Sequence, residues 1–375
     1  MLSYSTQLIE DDDIEEVIKV LKSNFLAQGP KVAEFEADLC KYTGAKYAVT
    51  FNSATSALQG AYSVSGINEG DEIITTPISF VATSNMFVTL GAKPIWCDVK
   101  LDGNIDERHI ERLITPQTKA IVPVDFAGKP VEIEKIKTIA KQHNLLLIQD
   151  ASHALGSSIS GEKVGSFADM TIFSFHAIKP ITTSEGGAVL TDNKKFAEKL
   201  RLFRSHGVVK KEFWNSDMTS MGYNLRMTEV AAALGSSQIK KLDKFIEHRN
   251  KIAEYFDDRF KNEKLFLTQH IEPSTISSRH LYPIILNPEL SCPKEDIFAE
   301  LQERGLGVQV HYKPIYQNSF YKEKFGEFSL PVANDFYRSE ISIPCNQTMS
   351  MDDAKYVADT LIDVINKYSY RGCSF

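Results

Sequence analysis

Several things are scarce in this 375-residue chain, and each scarcity removes a class of protein. There are only five cysteines, Cys40, Cys97, Cys292, Cys345 and Cys373. The number is odd and no two are spaced as CxxC, which argues against a disulfide framework or a zinc site and for free thiols in a reducing compartment. Positive charge is not in excess: 42 Lys and Arg face 49 Asp and Glu, a net charge of −7. No basic stripe stands out, so a nucleic-acid partner is not expected. Pairs such as Lys210-Lys211 and Lys240-Lys241 read as solvated faces. No apolar run nears the roughly 18 residues that span a bilayer, so no membrane partner is expected. The opening "MLSYSTQLIEDDDIEEVIK" turns acidic and polar at once, unlike a signal peptide. A cytoplasmic protein is expected. GxGxxG, GxxxxGK[ST], HExxH and GxSxG are absent, as are internal repeats and low-complexity segments. The nine histidines show no metal-ligand spacing, and no metal is expected.

What remains is an ordinary globular composition, 43% apolar and 24% charged. Residues 11–22 carry apolar positions at Ile14, Val17, Ile18 and Leu21, a helical stripe with an acidic start. A second helix is expected over 32–43. Short apolar runs then alternate with helical ones: "AVTFN", "EIITTPIS", "KPIWCDV", "KAIVPVDF", "LLLIQDA", "MTIFSF" and "GAVLT", with a helix over 132–143 among the connections. Such alternation predicts a doubly wound, mostly parallel α/β sheet with crossover helices on both faces. Ligands in these sheets sit beyond the carboxyl ends of the strands. After residue 191 the pattern changes to a long helical stretch over 227–260 with a break, a mixed region, a helix over 293–303 and a last helix over 351–367. We expect a large domain over 1–240 and a smaller α+β domain over 241–375.

The polar residues that end the apolar runs carry the chemistry. Asp150 ends "LLLIQD"; alone it reads equally well as a helix cap. His153 follows in "DASHALGS". Lys179 stands beyond "MTIFSF" in an apolar stretch, where lysine is rarely buried without a reason. Together, Asp150 and Lys179 suit a pyridine cofactor: the carboxylate keeps the ring nitrogen protonated, and the amine forms a Schiff base with an aldehyde. "NSATSAL" (52–58) follows a strand and opens a helix, where free N–H groups make an anion site; an ordinary N-cap is the competing reading. Ser174 adds a hydroxyl. Phe80, in "TTPISFVAT", either stacks on the ring or packs in the core. His176 is as readily a supporting residue as a catalytic one.

Taken in order, "NSATSAL", "TTPISFVATSN", "QDASHALGS", "FSFHAIKPITTSEGGAV", "RSHG" and "GYNLRMTEVAAALG" resemble the DegT/DnrJ/EryC1/StrS family of sugar aminotransferases along essentially the whole chain. "SFHAIKPITT", "RSHGVVKK", "HLYPI" and "VQVHYKPIYQ" narrow the likeness to the branch that makes UDP-4-amino-4,6-dideoxy-N-acetyl-β-L-altrosamine for pseudaminic acid biosynthesis. The resemblance implies the aspartate aminotransferase fold (fold type I), pyridoxal 5′-phosphate, L-glutamate and a UDP-4-keto sugar. It implies that Lys179 carries the cofactor and moves the proton, and that Asp150 pairs with the pyridine nitrogen. It places His153 beside the phenolic oxygen, Ala54, Thr55 and Ser174 at the phosphate, and Phe80 on the ring. It implies a homodimer in which Asn224 reaches the neighbouring subunit's phosphate. Phe25 and Leu26 in the 25–29 loop, Arg226, His311, Tyr312 and Lys313 would meet the nucleotide sugar. Histidine replaces the lysine in the family's dehydratases; Lys179 is present, so a transaminase is expected. Alternatives are a transaminase for a dTDP- or GDP-linked keto sugar, a dehydratase, or a non-catalytic sensor of nucleotide sugars.

Overall fold

The computed structural model describes residues 1–288, 290 and 293–370, so Cys292 and Cys373 lie outside the described residues. Two helices open the chain, α1 (Asp11–Leu21) and α2 (Pro30–Thr43). Proline at the first turn of α2 loses no helical hydrogen bond there. Seven strands then build the central sheet: β1 (Tyr47–Phe51), β2 (Glu72–Thr75), β3 (Lys93–Trp96), β4 (Thr118–Val122), β5 (Leu146–Asp150), β6 (Met170–Ser174) and β7 (Gly187–Thr191). Their order is β1-β7-β6-β5-β4-β2-β3. β2 pairs in parallel with β3 and β4, β4 with β5, and β5 with β6. β7 runs antiparallel to both its neighbours. It follows β6 through residues 175–186, which hold no helix to carry the chain back across the sheet.

Neighbouring residues on one strand fall into different apolar clusters: Ile74 and Leu147 in one, Ile73 and Ile148 in the other. Both faces of the sheet are therefore covered, which is why these strands read as continuous apolar runs. Two strands are shorter than their apolar runs suggest. β2 stops before Pro77 and β4 before Pro123, because proline has no N–H for the ladder.

The helical stretch expected to break does so: Glu229–Gln238 leads through a 3-10 turn into Leu242–Phe260. The C-terminal part has its own antiparallel sheet, in which Tyr282–Leu286 lies between Phe266–Thr268 and Glu340–Ile343. Its apolar cluster draws on buried residues from Ile252 to Ile365. The N-terminus crosses to this part, where Leu2–Ser3 pairs with Leu306–Gly307. No helix among the described residues is long and apolar enough to cross a membrane.

Candidate active site

A cavity of about 480 Å³ opens beyond the carboxyl ends of β1, β2, β5 and β6, within the ~300–1,000 Å³ of small-molecule sites. At its β1 side, the helix α3 (Ala54–Val64) starts at Ser53, whose Oγ accepts from the Ser56 N–H at 3.1 Å. The N–H groups of Ala54 and Thr55 have no acceptor within the helix and face the helix's positive end. This helix start is pressed against the sheet: a Cβ on Gly187 would lie 2.5 Å from the Ala54 nitrogen. Ser174, at the end of β6, lines the same wall.

Asp150 is 3% exposed at the end of β5. Its Oδ2 accepts from Thr83 Oγ1 at 2.7 Å, and its Oδ1 accepts from Ser152 Oγ at 2.6 Å and from the Ser152 N–H at 3.1 Å. Three donors from two directions fix the carboxylate in one orientation.

Lys179 is held by a loop that closes on itself. Phe175 N–H donates to the Gly186 carbonyl, Thr183 N–H to the Phe175 carbonyl and Lys179 N–H to the His176 carbonyl. The lysine is buried and its Nζ is 3.2 Å from His280 Nε2. Burial pushes its pKa down to about 7, against the pull of Asp150. Such an amine is substantially neutral, and so nucleophilic, near neutral pH.

His153 completes this wall. Its Nδ1 accepts from the Ala127 N–H at 3.3 Å, which leaves the ring proton on Nε2, 3.2 Å from the Tyr312 hydroxyl. Burial, then Lys179 and His311, hold its pKa well below 6.5. His311 is held by its N–H to Glu340 Oε2 (2.7 Å) and by Nδ1 against Ser342 Oγ (2.9 Å). Burial and Lys179 push its pKa down to about 3.

Of the residues singled out in the sequence, the cavity brings together Ala54, Thr55, Phe80, Asp150, His153, Ser174, Lys179, His311 and Tyr312, with His176 also lining it. Phe80 is 59% exposed, so it is a wall residue and not core packing. Five lie elsewhere. Phe25 and Leu26 are exposed in their loop, and Asn224 and Lys313 are exposed on this chain. Arg226 lines a separate groove with Thr183, Glu185 and Thr228. Sequence reading missed His280, Tyr4, Thr83 and Ser152. His280 sits in the quoted "HLYPI" run, next to a strand, and that was its only signal.

The donor set suits a flat, anionic cofactor. A helix start with free N–H groups would take a phosphate, a triply bonded carboxylate would take a ring N–H, and a buried neutral amine would take an aldehyde.

The chain matches the DegT/DnrJ/EryC1/StrS aminotransferase family over residues 7–362. It is 50% identical over 376 residues, covering 100% of both chains, to a UDP-4-amino-4,6-dideoxy-N-acetyl-beta-L-altrosamine transaminase of Campylobacter jejuni subsp. jejuni serotype O:23/36 (strain 81-176). The solved structure of Helicobacter pylori PseC, an aminotransferase involved in the biosynthesis of pseudoaminic acid, superposes with a TM-score of 0.96 at 44% identity, covering 98% of this chain and 100% of that one. The PLP-form of the sugar aminotransferase Spr1654 from Streptococcus pneumoniae superposes with a TM-score of 0.91 at 29% identity, covering 97% and 98%. The family match, the half-identical relative and the superposed backbones all run the length of the chain, which therefore belongs to the DegT/DnrJ/EryC1/StrS aminotransferase family.

Proposed function

We propose that this protein is a pyridoxal phosphate-dependent transaminase. It moves the amino group of L-glutamate to C4 of a UDP-linked 4-keto-6-deoxy-N-acetyl hexose, giving UDP-4-amino-4,6-dideoxy-N-acetyl-β-L-altrosamine for pseudaminic acid biosynthesis. The observation that carries the chemistry is the buried Lys179 amine sharing one cavity with the fixed Asp150 carboxylate. The identity of the sugar rests on the half-identical relative.

Pyridoxal phosphate, when bound, supplies an aldehyde for amine exchange and an electron-poor ring that stabilises charge on the carbon losing its proton. Ala54, Thr55 and Ser174 would hold its phosphate, Asp150 its ring nitrogen, and Phe80 would offer it an aromatic face. His153 would meet its phenolic oxygen. Lys179 would be its attachment point. Once displaced, Lys179 Nζ takes the α-proton of the donor and returns it across the reacting carbons, a task it performs only while neutral. Phe25, Leu26, Arg226, His311, Tyr312 and Lys313 meet the nucleotide sugar.

The chain divides near residue 240 into a large and a small domain, as the separate cluster from Ile252 to Ile365 supports. It works as a cytoplasmic homodimer. The exposed face of Ile14, Ile18, Leu21, Phe25 and Leu26 supports a partner copy. Asn224, outside its own chain's cavity, serves that copy's phosphate.

The test is a visible spectrum of the protein with pyridoxal phosphate. L-Glutamate is expected to bleach the band and the UDP-4-keto sugar to restore it. A band that glutamate leaves intact removes the transaminase reading, and faster restoration by a dTDP- or GDP-linked keto sugar replaces the substrate.

The crowding at Gly187 gives a second expectation. Gly187→Ala forces the start of α3 off the sheet, an overpacking that costs about 1–3 kcal/mol. Pyridoxal phosphate affinity should fall by about tenfold or more, read by titration of the apo-protein. Unchanged affinity would show that the phosphate does not lie on this helix start.

A further inference from the structure

Behind Lys179 lies a polar arrangement that the steps above do not use. His280 precedes the strand Tyr282–Leu286 and is 1% exposed. Its Nε2 is 3.2 Å from Lys179 Nζ, and its Nδ1 has no hydrogen-bond partner among the described residues. The lysine is thus this ring's polar anchor. Burial, then Lys179, His153, Arg249 and His311, hold the His280 pKa well below 6.5. A neutral ring offers a lone pair or an N–H to the amine, whichever the amine lacks.

Arg249 lies next to His280. It is fully buried, at 0% exposure, and no carboxylate pairs with it among the described residues. Its Nη1 donates to the carbonyls of Arg279 (3.0 Å), His280 (3.5 Å) and Cys345 (2.8 Å). Its Nη2 donates to Ser5 Oγ at 3.3 Å, and Ser5 Oγ donates in turn to the Ile178 carbonyl at 2.8 Å. One guanidinium therefore ties the main chain next to Lys179 and the main chain of His280. A buried cation without a counter-ion is costly, and these bonds offset part of that cost, its Nε having no hydrogen-bond partner among the described residues. Its positive charge also stands behind the His280 ring.

We propose that His280 is a positioning residue for Lys179, receiving its amine by hydrogen bond whenever the amine is not joined to the cofactor, with Arg249 and Ser5 bracing the pair. The inference rests on the amino-transfer reading for one point: in that reaction Lys179 is released and must return. A four-carbon stem released without a partner loses its aim to free rotation. A bond to His280 confines it within reach of the reacting carbons.

Other groups also face this amine. Asp150 and His153 come from the end of β5, and His176 and Glu185 from the lysine's own loop. His311 and Tyr312 follow Gly307, and Tyr4 comes from the N-terminus. None of these has a hydrogen bond to Nζ among the described residues, whereas His280 does. Because a bond to the charged ammonium is the stronger one, removing the acceptor lowers the amine's pKa.

The test starts with apo-protein. Trace acetylation with acetic anhydride across pH, read on the Lys179 peptide by mass spectrometry, gives the pH at which the amine becomes neutral. His280→Phe should lower that midpoint by about 0.5 pH unit or more. His280→Gln, whose amide oxygen replaces the acceptor, should restore it. In cofactor-loaded protein, His280→Phe should lower kcat about fivefold with the KM for glutamate unchanged, and His280→Gln should recover it. An unmoved midpoint in His280→Phe overturns the proposal, whatever the activity.

If His280→Phe does not fold, nitrogen NMR of imidazole-labelled parent apo-protein decides. The His280 Nε2 resonance should shift as Lys179 titrates and not shift in Lys179→Ala. A resonance that stays still in the parent overturns the proposal. The acetylation and NMR readouts need no amino transfer, so a failure of glutamate to bleach the band would remove the transaminase reading and leave these results interpretable.

Discussion

Lys179→Ala is expected to lower amino transfer by about 10⁴-fold or more, since it removes the residue proposed both to attach the cofactor and to carry the proton. The protein should still fold, because the loop around Lys179 is held by main-chain bonds of Phe175, Thr183 and Lys179 itself, not by the amine. A companion variant reads the burial of that amine directly. In the native apo-protein the pKa of Lys179 is pushed down from 10.5 to about 7. Between those values the unfolded chain binds a proton that the native state does not. Burial therefore costs native stability below about pH 7, and the cost fades as pH rises towards 10.5. Its full size is on the order of 5 kcal/mol. Apo Lys179→Met, which keeps the stem and drops the charge, should be more stable than apo parent at pH 7, with a margin that closes on approach to pH 10. The measurement is denaturant unfolding at several pH values, without cofactor because the cofactor would stabilise the parent and the variant to different extents. A margin that does not change with pH would mean that the lysine is not desolvated. Near-parental turnover in Lys179→Ala would remove the catalytic assignment.

The central sheet was legible because its strands are buried on both faces and separated by turn residues, so each apolar run announced a strand. Asp150, Ser174 and Lys179 were legible for the same reason: they are the polar residues where those runs stop. Three kinds of feature were not. Strand ends were overrun wherever proline cut the ladder, as at Pro77 and Pro123. The antiparallel setting of β7 depends on a missing helix between residues 175 and 186, which apolar runs alone do not express. Long-range partners were hidden altogether. His280 meets Lys179 across 101 residues of sequence, and Tyr4 reaches the cavity on a segment held by the pairing of Leu2–Ser3 with Leu306–Gly307 and by the bond of Ser5 to the Ile178 carbonyl. Neither periodicity nor local spacing carries such information. Phe25, Leu26, Asn224, Arg226 and Lys313 came from the family resemblance and stand outside this chain's cavity. Phe25, Leu26, Asn224 and Lys313 are exposed and Arg226 is half-buried, and what they meet in the proposed homodimer is not written in one chain's sequence.

Asp150→Asn separates holding the cofactor from driving the reaction. The amide is nearly the same shape as the carboxylate and fits the same 3% exposed place. It keeps its oxygen for the Ser152 N–H and Ser152 Oγ, and turns its nitrogen towards Thr83 Oγ1. Its NH2 group, however, meets a hydroxyl that can reverse its own role, so the local network survives with little rearrangement. What is lost is the negative charge that, in the proposed function, faces the ring nitrogen. Without it the ring has no reason to stay protonated and withdraws electrons less well when the donor's proton leaves. Pyridoxal phosphate should therefore still bind, with its phosphate held at Ala54, Thr55 and Ser174, and the protein should still colour. Bleaching by L-glutamate should slow by about 10²–10³-fold, the scale seen when one preorganised electrostatic partner is removed. Thr83→Val tests the same carboxylate from behind: it removes the Oδ2 donor while leaving the charge. Its effect should be far smaller, about 1–2 kcal/mol in transition-state stabilisation. Single-turnover bleaching rates of the three proteins decide the matter. If Asp150→Asn bleaches as fast as the parent, Asp150 does not face the reacting ring, and the pyridine must lie elsewhere in the cavity.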